Sequence, residues 1–214
     1  MTASPASIGD FSPAAFFSAA AARLRQGAPG PLAVGGGDHV MNPDLADAEV
    51  PLREAAVLIP VVAREPQATV ILTERMPHLA AHAGQIAFPG GKIDDGDDGP
   101  AAAAIRESGE EIGLERGAIA VIGYLDPYLS RTGYRIVPVV GRIDPGYRLT
   151  LNRGEVADAF EVPLDFLLNP ANHRRTSRVF MGRERYFYEM PFGEHYIWGV
   201  TAGIIRALYE QVVA

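Results

Sequence analysis

Three glutamates lie within five positions of the segment "AIRESGEEIGL", at Glu107, Glu110 and Glu111. If the segment is helical, each pair of like charges three or four residues apart costs about 0.2–0.5 kcal/mol. One interpretation is an acidic face exposed to solvent. The other is a cation site, because a Gly-Gly turn and an Asp-rich loop precede the segment and oxygen ligands suit Mg²⁺ or Mn²⁺. A bound divalent ion would convert the repulsion into coordination.

The helix that carries these glutamates is predicted to run from Pro100 to Ile112 and to end at Gly113, a suitable left-handed cap. At about 100° per residue, its buried side is predicted to consist of Ala101, Ile105, Ser108 and Ile112. The three glutamates fall on the opposite side of the helix. We therefore expect a helix with one buried face and one carboxylate face.

The longer segment "GGKIDDGDDGPAAAAIRESGEEIGL" resembles the signature of the Nudix hydrolases. That signature reads Gly, five residues, Glu, seven residues, then Arg-Glu-apolar-any-Glu-Glu-any-Gly-apolar. The positions that match directly are Gly91, Arg106, Glu107, Glu110, Glu111, Gly113 and Leu114. Asp97 replaces the first Glu, with eight residues before Arg106 instead of seven, and Ser108 replaces an apolar residue. Asp97 is either a metal ligand or an acid that structures the loop.

The resemblance implies a metal-dependent hydrolase of nucleoside diphosphates linked to another group. It implies that Glu107 and Glu111 bind the metal and that Glu110 binds the metal or orients water. It further implies that Arg106 steers a glutamate and that the carbonyl of Gly90 is an additional ligand. The chemistry is reasonable, because metal ions bridge pyrophosphate oxygens and lower the pKa of an attacking water.

The segment before the signature, "LTERMPHLAAHAGQIAFPGG", resembles the extra motif of the coenzyme A pyrophosphatase branch. The matching positions are Leu72, Thr73, Arg75, Gly84, Phe88, Pro89, Gly90 and Gly91. Members of this branch often share the Asp97 substitution and the one-residue insertion. The resemblance covers roughly residues 55 to 170. It implies that Arg75, Gly84 and Phe88 bind the substrate, although an ion pair at a strand end is an alternative for Arg75.

Two positions differ from the branch motif: Met76 stands where Ser or Ala is usual, and Ala80 where Arg or Lys is usual. A basic residue at the second position would hold a phosphate of coenzyme A. We expect His82 to bind substrate in its place, with His78 as an alternative. The other interpretation of both histidines is a loop position facing solvent.

Two further features outside the signature leave alternatives open. Glu155, in "NRGEVADAF", is predicted to be a catalytic general base or an extra metal ligand, or else a loop carboxylate facing water. Downstream aromatic residues are predicted to pack in the core, with nucleobase stacking as the alternative; they are Tyr186, Phe187, Tyr188, Phe192 and Trp198.

Composition narrows the classes of partner. The chain has 214 residues, 48% hydrophobic and 21% charged, with a net charge of −7 and no cysteine. The acidic balance argues against nucleic-acid binding, and the absence of cysteine excludes disulfides and thiolate metal sites. The Ala-rich N-terminus lacks the positive residues of a secretory signal, and no run of eighteen apolar residues occurs. We expect a cytoplasmic protein with no membrane partner.

The arrangement of elements predicts an α/β or α+β fold, in which a mixed sheet lies between helices. Residues 1–50 are predicted to form an N-terminal helix, capped by Ser12, and a Gly/Pro-rich arm. Residues 51–214 are predicted to form the Nudix domain, with main strands near 55–62, 68–75, 118–125, 134–143 and 185–192 and a closing amphipathic helix.

The leading hypothesis is a Mg²⁺- or Mn²⁺-dependent pyrophosphatase. It cleaves coenzyme A or its acyl derivatives to 3′,5′-ADP and 4′-phosphopantetheine. A Nudix hydrolase for ADP-ribose or another nucleoside diphosphate derivative is the alternative. A catalytically silent nucleotide-binding module is the alternative from another class. The expected partner is therefore a small nucleotide of the coenzyme A type, and a homodimer formed through the N-terminal arm is left open.

Overall fold

The computed structural model describes residues 9–33, 35–43, 52–79 and 83–214. Its helices are α1 (Pro13–Arg23), α2 (Asp38–Met41), α3 (Gly99–Ile112), α4 (Leu164–Leu167) and α5 (Gly199–Val212). Its strands are β1 (Arg53–Val62), β2 (Thr69–Arg75), β3 (Ile86–Ala87), β4 (Gly90–Lys92), β5 (Ile119–Tyr124), β6 (Tyr128–Leu129), β7 (Tyr134–Ile143), β8 (Val156–Pro163), β9 (Arg174–Phe180), β10 (Arg183–Phe192) and β11 (His195–Trp198). None of the helices in these ranges has the length and apolar character needed to cross a membrane.

The strands form a large mixed sheet and a small antiparallel one. In the large sheet the order is β3-β2-β1-β7-β5, and β4, β6 and β8 pair with β1, β7 and β2 respectively. The pair β1–β7 is parallel, whereas the other pairs of this sheet are antiparallel. The small sheet has the order β11-β10-β9. The central strand β1 is buried over most of its length, which explains its continuous apolar sequence "AAVLIPVV".

Helices cover both faces of the large sheet. On one face, Ala103, Ala104 and Ile112 of α3 pack against Ala56 and Leu58 of β1. On the other face, apolar residues of α1 and α5 share a core with the alternate residues of β1 and β2. The predicted architecture, a mixed sheet between helices, is therefore confirmed.

The N-terminal helix and the arm make specific contacts with the rest of the chain. Ser12 caps α1 as predicted by accepting a hydrogen bond from the backbone N–H of Ala15, 3.4 Å away. Farther along, the side chain of Asn42 both donates to and accepts from the backbone of Tyr186, at 2.9 Å in each case. Asp38 accepts a hydrogen bond of 2.7 Å from the Tyr128 hydroxyl. The division of the chain at residue 50 stays a prediction.

The helix α3 ends as predicted but is buried over a wider arc. Gly113 adopts the left-handed conformation (φ 68°) after Ile112. The buried residues are Ala103, Ala104, Ile105, Ser108, Glu111 and Ile112. The expectation that Glu111 lies on the outer carboxylate face is wrong, because alanines at two positions let the helix approach the sheet closely on the side where Glu111 lies.

Candidate metal and active site

The structure places the buried Glu111 against the backbone that precedes the helix. The residue is only 4% exposed, and its Oε2 accepts a hydrogen bond of 3.1 Å from the N–H of Gly90. Glu107, one turn earlier on α3, lies over Gly91. A Cβ atom built on Gly91 would overlap the Glu107 carboxylate, so glycine permits this close approach. Gly90 and Gly91, which were predicted as a turn but begin strand β4, therefore form one contiguous site with two signature glutamates.

Arg106 holds the remaining carboxylates around this site. Its guanidinium donates two hydrogen bonds to Asp97, at 3.0 and 2.9 Å, and one each to Glu107 at 3.0 Å and Glu110 at 3.2 Å. It also donates to the carbonyl of Lys92, at 3.2 Å. Asp97 further accepts a hydrogen bond from the N–H of Asp94, at 2.9 Å. These contacts give Asp97 a loop-structuring role, one of its two alternatives.

Burial sets the electrostatics of the two inner glutamates. Burial raises the pKa of Glu111 to about 7, against the opposing effects of the Gly90 N–H and of Arg75. Burial also raises the pKa of Glu107. The hydrogen bonds from Arg106 lower the pKa of Asp97, which keeps that carboxylate ionised. The buried glutamates are thus costly as bare anions, and a cation would relieve that cost.

Arg75 and Glu155 approach Glu111 from the strand side. The Arg75 Nη1 lies 3.6 Å from Glu111 Oε1. The Arg75 Nε is buried and has no hydrogen-bond partner within the described part of the chain. Glu155 follows the loop after β7, and its carbonyl accepts a hydrogen bond of 2.8 Å from the N–H of Met76. The charge of Glu155 is near enough to raise the pKa of Glu111 further.

The other predicted residues occupy different environments. Glu110 is 58% exposed in its side chain and lies on the Arg106 side of α3. Gly84 adopts a positive φ of 65° in the turn before β3, and its N–H donates to the carbonyl of Arg75 at 3.1 Å. Phe88 is 5% exposed and belongs to the hydrophobic core, which indicates packing rather than contact with substrate. His82 and Ala80 lie outside the described residues.

Asn152 is a site residue that sequence reasoning missed. Its backbone N–H donates to the carbonyl of Glu111 at 2.9 Å, and its side chain donates to the Glu155 carboxylate at 3.2 Å. It therefore ties the end of α3 to the loop that presents Glu155. The turn sequence Asn-Arg-Gly immediately before Glu155 was the available signal.

The donor chemistry of the site suits a divalent cation. Glu107, Glu111 and Glu155 offer hard carboxylate oxygens, and the backbone of Gly90 contacts Glu111 through its N–H. Within the described ranges, no three acidic or histidine side chains yet converge on a common point that could hold an ion. Arg106 and Arg75 instead pair with the glutamates. The chemistry of these residues thus fits a metal ion. In this structure Arg75 and Arg106 balance the negative charge of Glu111 and Glu107.

A model of the NUDIX domain family matches residues 52–182. This chain belongs to the Nudix family. The uncharacterized Nudix hydrolase NudL of Escherichia coli K12 is 40% identical over 174 residues, which are 81% of this chain and 90% of that protein. NudL of E. coli O7:K1 matches to the same extent.

Solved structures with a similar arrangement include two bacterial proteins. A Deinococcus radiodurans protein, DR0079, is 14% identical with a TM-score of 0.49, over 76% of this chain and 88% of that one. The Nudix hydrolase RenU of M. smegmatis is 24% identical with a TM-score of 0.46, over 54% and 73% of the two chains. From the family model and its NudL relatives, this Nudix protein is a pyrophosphohydrolase, and enzymes of its family generally use divalent metal ions.

Proposed function

We propose that this Nudix hydrolase cleaves the diphosphate of coenzyme A or acyl-coenzyme A, with Mg²⁺ or Mn²⁺ as its metal ion. Water adds to one phosphorus and the bridging P–O bond breaks. The products are 3′,5′-ADP and 4′-phosphopantetheine or its acyl derivative. The observation that carries the proposal is the contact between Arg75, from the coenzyme A branch motif, and Glu111, from the Nudix signature.

In this proposal the carboxylates of Glu107 and Glu111 and the carbonyl of Gly90 hold the metal ion. When bound, the ion supplies charge for the diphosphate oxygens and lowers the pKa of the attacking water. Arg75 contributes a guanidinium whose Nε has no partner within the described residues, and we assign it a diphosphate oxygen. Loss of the contact between Arg75 and the diphosphate is expected to weaken substrate binding.

The proposal divides the remaining acids between two tasks. Glu155 acts electrostatically on Glu111 from outside the helix, so we assign it the proton of the attacking water. Glu110 is exposed and paired with Arg106, and as a catalytic residue it is the alternative base. Arg106 positions Glu107 through the hydrogen bond between them.

The test is product analysis by mass spectrometry with either metal ion. The panel contains coenzyme A, acetyl-coenzyme A, ADP-ribose, NADH and a diadenosine polyphosphate. The proposal expects coenzyme A compounds to be cleaved fastest, with release of 3′,5′-ADP. Faster cleavage of ADP-ribose would reject the substrate and keep the hydrolase chemistry.

Matched variants make the test specific for the site. Glu111→Gln should abolish turnover, whereas Glu115→Gln, an exposed glutamate just beyond α3, should leave it unchanged. Glu155→Gln and Glu110→Gln compare the two candidate bases. The base is the residue whose loss lowers kcat and removes the fall in kcat towards low pH, where the base is protonated. Full activity in Glu111→Gln would reject the assigned site.

A further inference from the structure

The small C-terminal sheet has one face in the core and one face turned away from it. Met190 and Ile197 are buried on the core side, where Tyr188 and Phe192 pack beside them. The strand register places a second set of side chains together on the opposite face: Arg174, Arg178, Arg185, Phe187, Glu189, Tyr196 and Trp198. Three of the five predicted core aromatics, Tyr186, Phe187 and Trp198, belong to neither hydrophobic core, so the core prediction is wrong for them.

The side chains on this outer face form one aromatic cluster capped by an arginine. The rings of Phe187 and Trp198 are 5.4 Å apart, and those of Tyr196 and Trp198 are 6.2 Å apart and nearly parallel, at 28°. The exposed Arg178 guanidinium lies 5.4–5.6 Å from all three ring centres. It also donates a hydrogen bond of 3.2 Å to the Tyr196 hydroxyl, which in turn donates to the carboxylate of Glu189. We name these four residues the aromatic–arginine cluster.

The cluster lies near the end of the large sheet that carries Arg75. Strand β11 begins at His195, whose ring stacks on Phe160 at 3.6 Å. The strand then runs beside β3, and three residues after Trp198 the Thr201 hydroxyl donates to the carbonyl of Ile86 at 2.9 Å. Because Ile86 pairs with Glu74, the residue before Arg75, β11 runs towards the Arg75 end of the sheet. The Trp198 end of β11 therefore lies towards the Arg75 end of the large sheet, on the face that shares its core with α5.

The chemistry of the cluster selects an anionic aromatic ligand. Nucleobases stack on aromatic rings and on guanidinium planes, and arginine pairs with phosphate through charge-assisted hydrogen bonds. Arg174 adds a second exposed positive charge on the same face, in a chain whose net charge is −7. We propose that the aromatic–arginine cluster binds the adenine nucleotide half of the substrate. This inference rests on the proposed function for its placement beside the diphosphate.

Trp198 provides a direct readout, because it is the sole tryptophan of the 214-residue chain. Tryptophan emission, excited at 295 nm to avoid adenine and tyrosine, is followed in metal-free protein during titration with 3′,5′-ADP. Ribose 5-phosphate and 4′-phosphopantetheine, which carry phosphate but no base, are the control ligands. The proposal expects saturable quenching by 3′,5′-ADP and none by the controls.

Arg178→Gln tests the arginine without removing the fluorophore. It is an exposed substitution, so the fold should survive, and circular dichroism verifies this. We expect about tenfold weaker 3′,5′-ADP binding and about tenfold higher KM for coenzyme A, with kcat little changed. The matched control is Arg142→Gln, an exposed arginine near the end of β7 beside Phe17, which should change neither quantity.

The outcomes separate this inference from the proposed function. Quenching by 3′,5′-ADP without coenzyme A cleavage would support the cluster and reject the substrate. Cleavage of coenzyme A with no quenching and an unchanged KM in Arg178→Gln would support the substrate and overturn the cluster. If the Trp198 emission per chain changed with protein concentration but not with 3′,5′-ADP, the face would be assigned to a second copy of the chain. That result would also overturn the inference.

Discussion

Replacing Glu111 by Gln should stabilise the metal-free protein at alkaline pH. The residue is only 4% exposed, and burial raises the pKa of its carboxyl group to about 7 from the ordinary value of 4.5. Between pH 4.5 and about 7, the folded state binds a proton that the unfolded state does not. Stability from this group is therefore fully present below pH 4.5 and is lost as pH rises through about 7. Glutamine carries no charge and escapes that loss.

The magnitude follows from the difference between the two pKa values. Each pKa unit corresponds to about 1.4 kcal/mol, so the full effect is on the order of 3 kcal/mol. We expect Glu111→Gln and the native chain to have similar free energies of unfolding near pH 4.5. At pH 8 the variant should be more stable by roughly 2–3 kcal/mol.

The assay is urea unfolding followed by circular dichroism, with EDTA present, at several pH values between 4.5 and 8. The quantity to plot against pH is the difference in free energy of unfolding between the variant and the native chain. Burial lowers the pKa of His173, and this effect opposes the Glu111 trend but cancels in the difference. Glu110→Gln is the matched control, and its exposed ion pair should change stability by less than about 1 kcal/mol at every pH.

Metal ions provide the second arm of this test. Mg²⁺ or Mn²⁺ at saturation should stabilise the native chain most at pH 8, because the ion binds the ionised carboxylate of the folded state. The shift should vanish in Glu111→Gln. A variant less stable than the native chain at every pH would refute the reasoning. It would mean that Glu111 is held as an ionised partner of Arg75, with no cost of burial to relieve.

Three further substitutions test other contacts of the structure. Glu107→Gln should keep its circular dichroism spectrum while turnover falls by orders of magnitude, since Glu107 is assigned to the metal and not to the core. Gly91→Ala should displace the Glu107 carboxylate that a Cβ would overlap, so thermal stabilisation by Mg²⁺ should shrink in a melting assay. For Glu161, burial would raise the pKa, but hydrogen bonds, above all from Arg64, lower it to about 2. The stability from Glu161 is present above pH 4.5 and lost towards pH 2, so the deficit of Glu161→Gln in urea unfolding should be largest at neutral pH and shrink on acidification.

The elements with strong apolar patterns were predictable from the sequence. The short strands that depend on hydrogen bonds to neighbouring strands were not. The long strands β1 and β7 and the bounds of α3 follow from continuous apolar runs and a left-handed glycine cap. The two-residue strands β3 and β6 have too few residues to show a period. The strand β9, "RRTSRVF", lacks apolar alternation because neither of its faces is buried in the core.

The candidate site divides in the same way. Spacing within one helix brought Glu107 and Glu111 together, and a motif before the helix pointed to Arg75. The sequence did not predict the burial of Glu111, because the predicted buried face followed Ile105 and Ile112 and did not include Ala103 and Ala104. Those small side chains set how closely α3 approaches the sheet, and this distance decides which flank of the helix is buried.

The crowding of glutamates on α3 has an answer that does not require a bound ion for folding. Arg106 contacts Glu107 and Glu110 at once and is fixed by Asp97. Glu111 is separated from the exposed Glu110 by its burial beside Arg75. Burial raises its pKa, so protonation can neutralise it. The helix is thus balanced by two arginines without a metal ion. In the proposed function, a cation held by Glu107 and Glu111 would compete with those arginines, and Arg75 would then be available to pair with a phosphate.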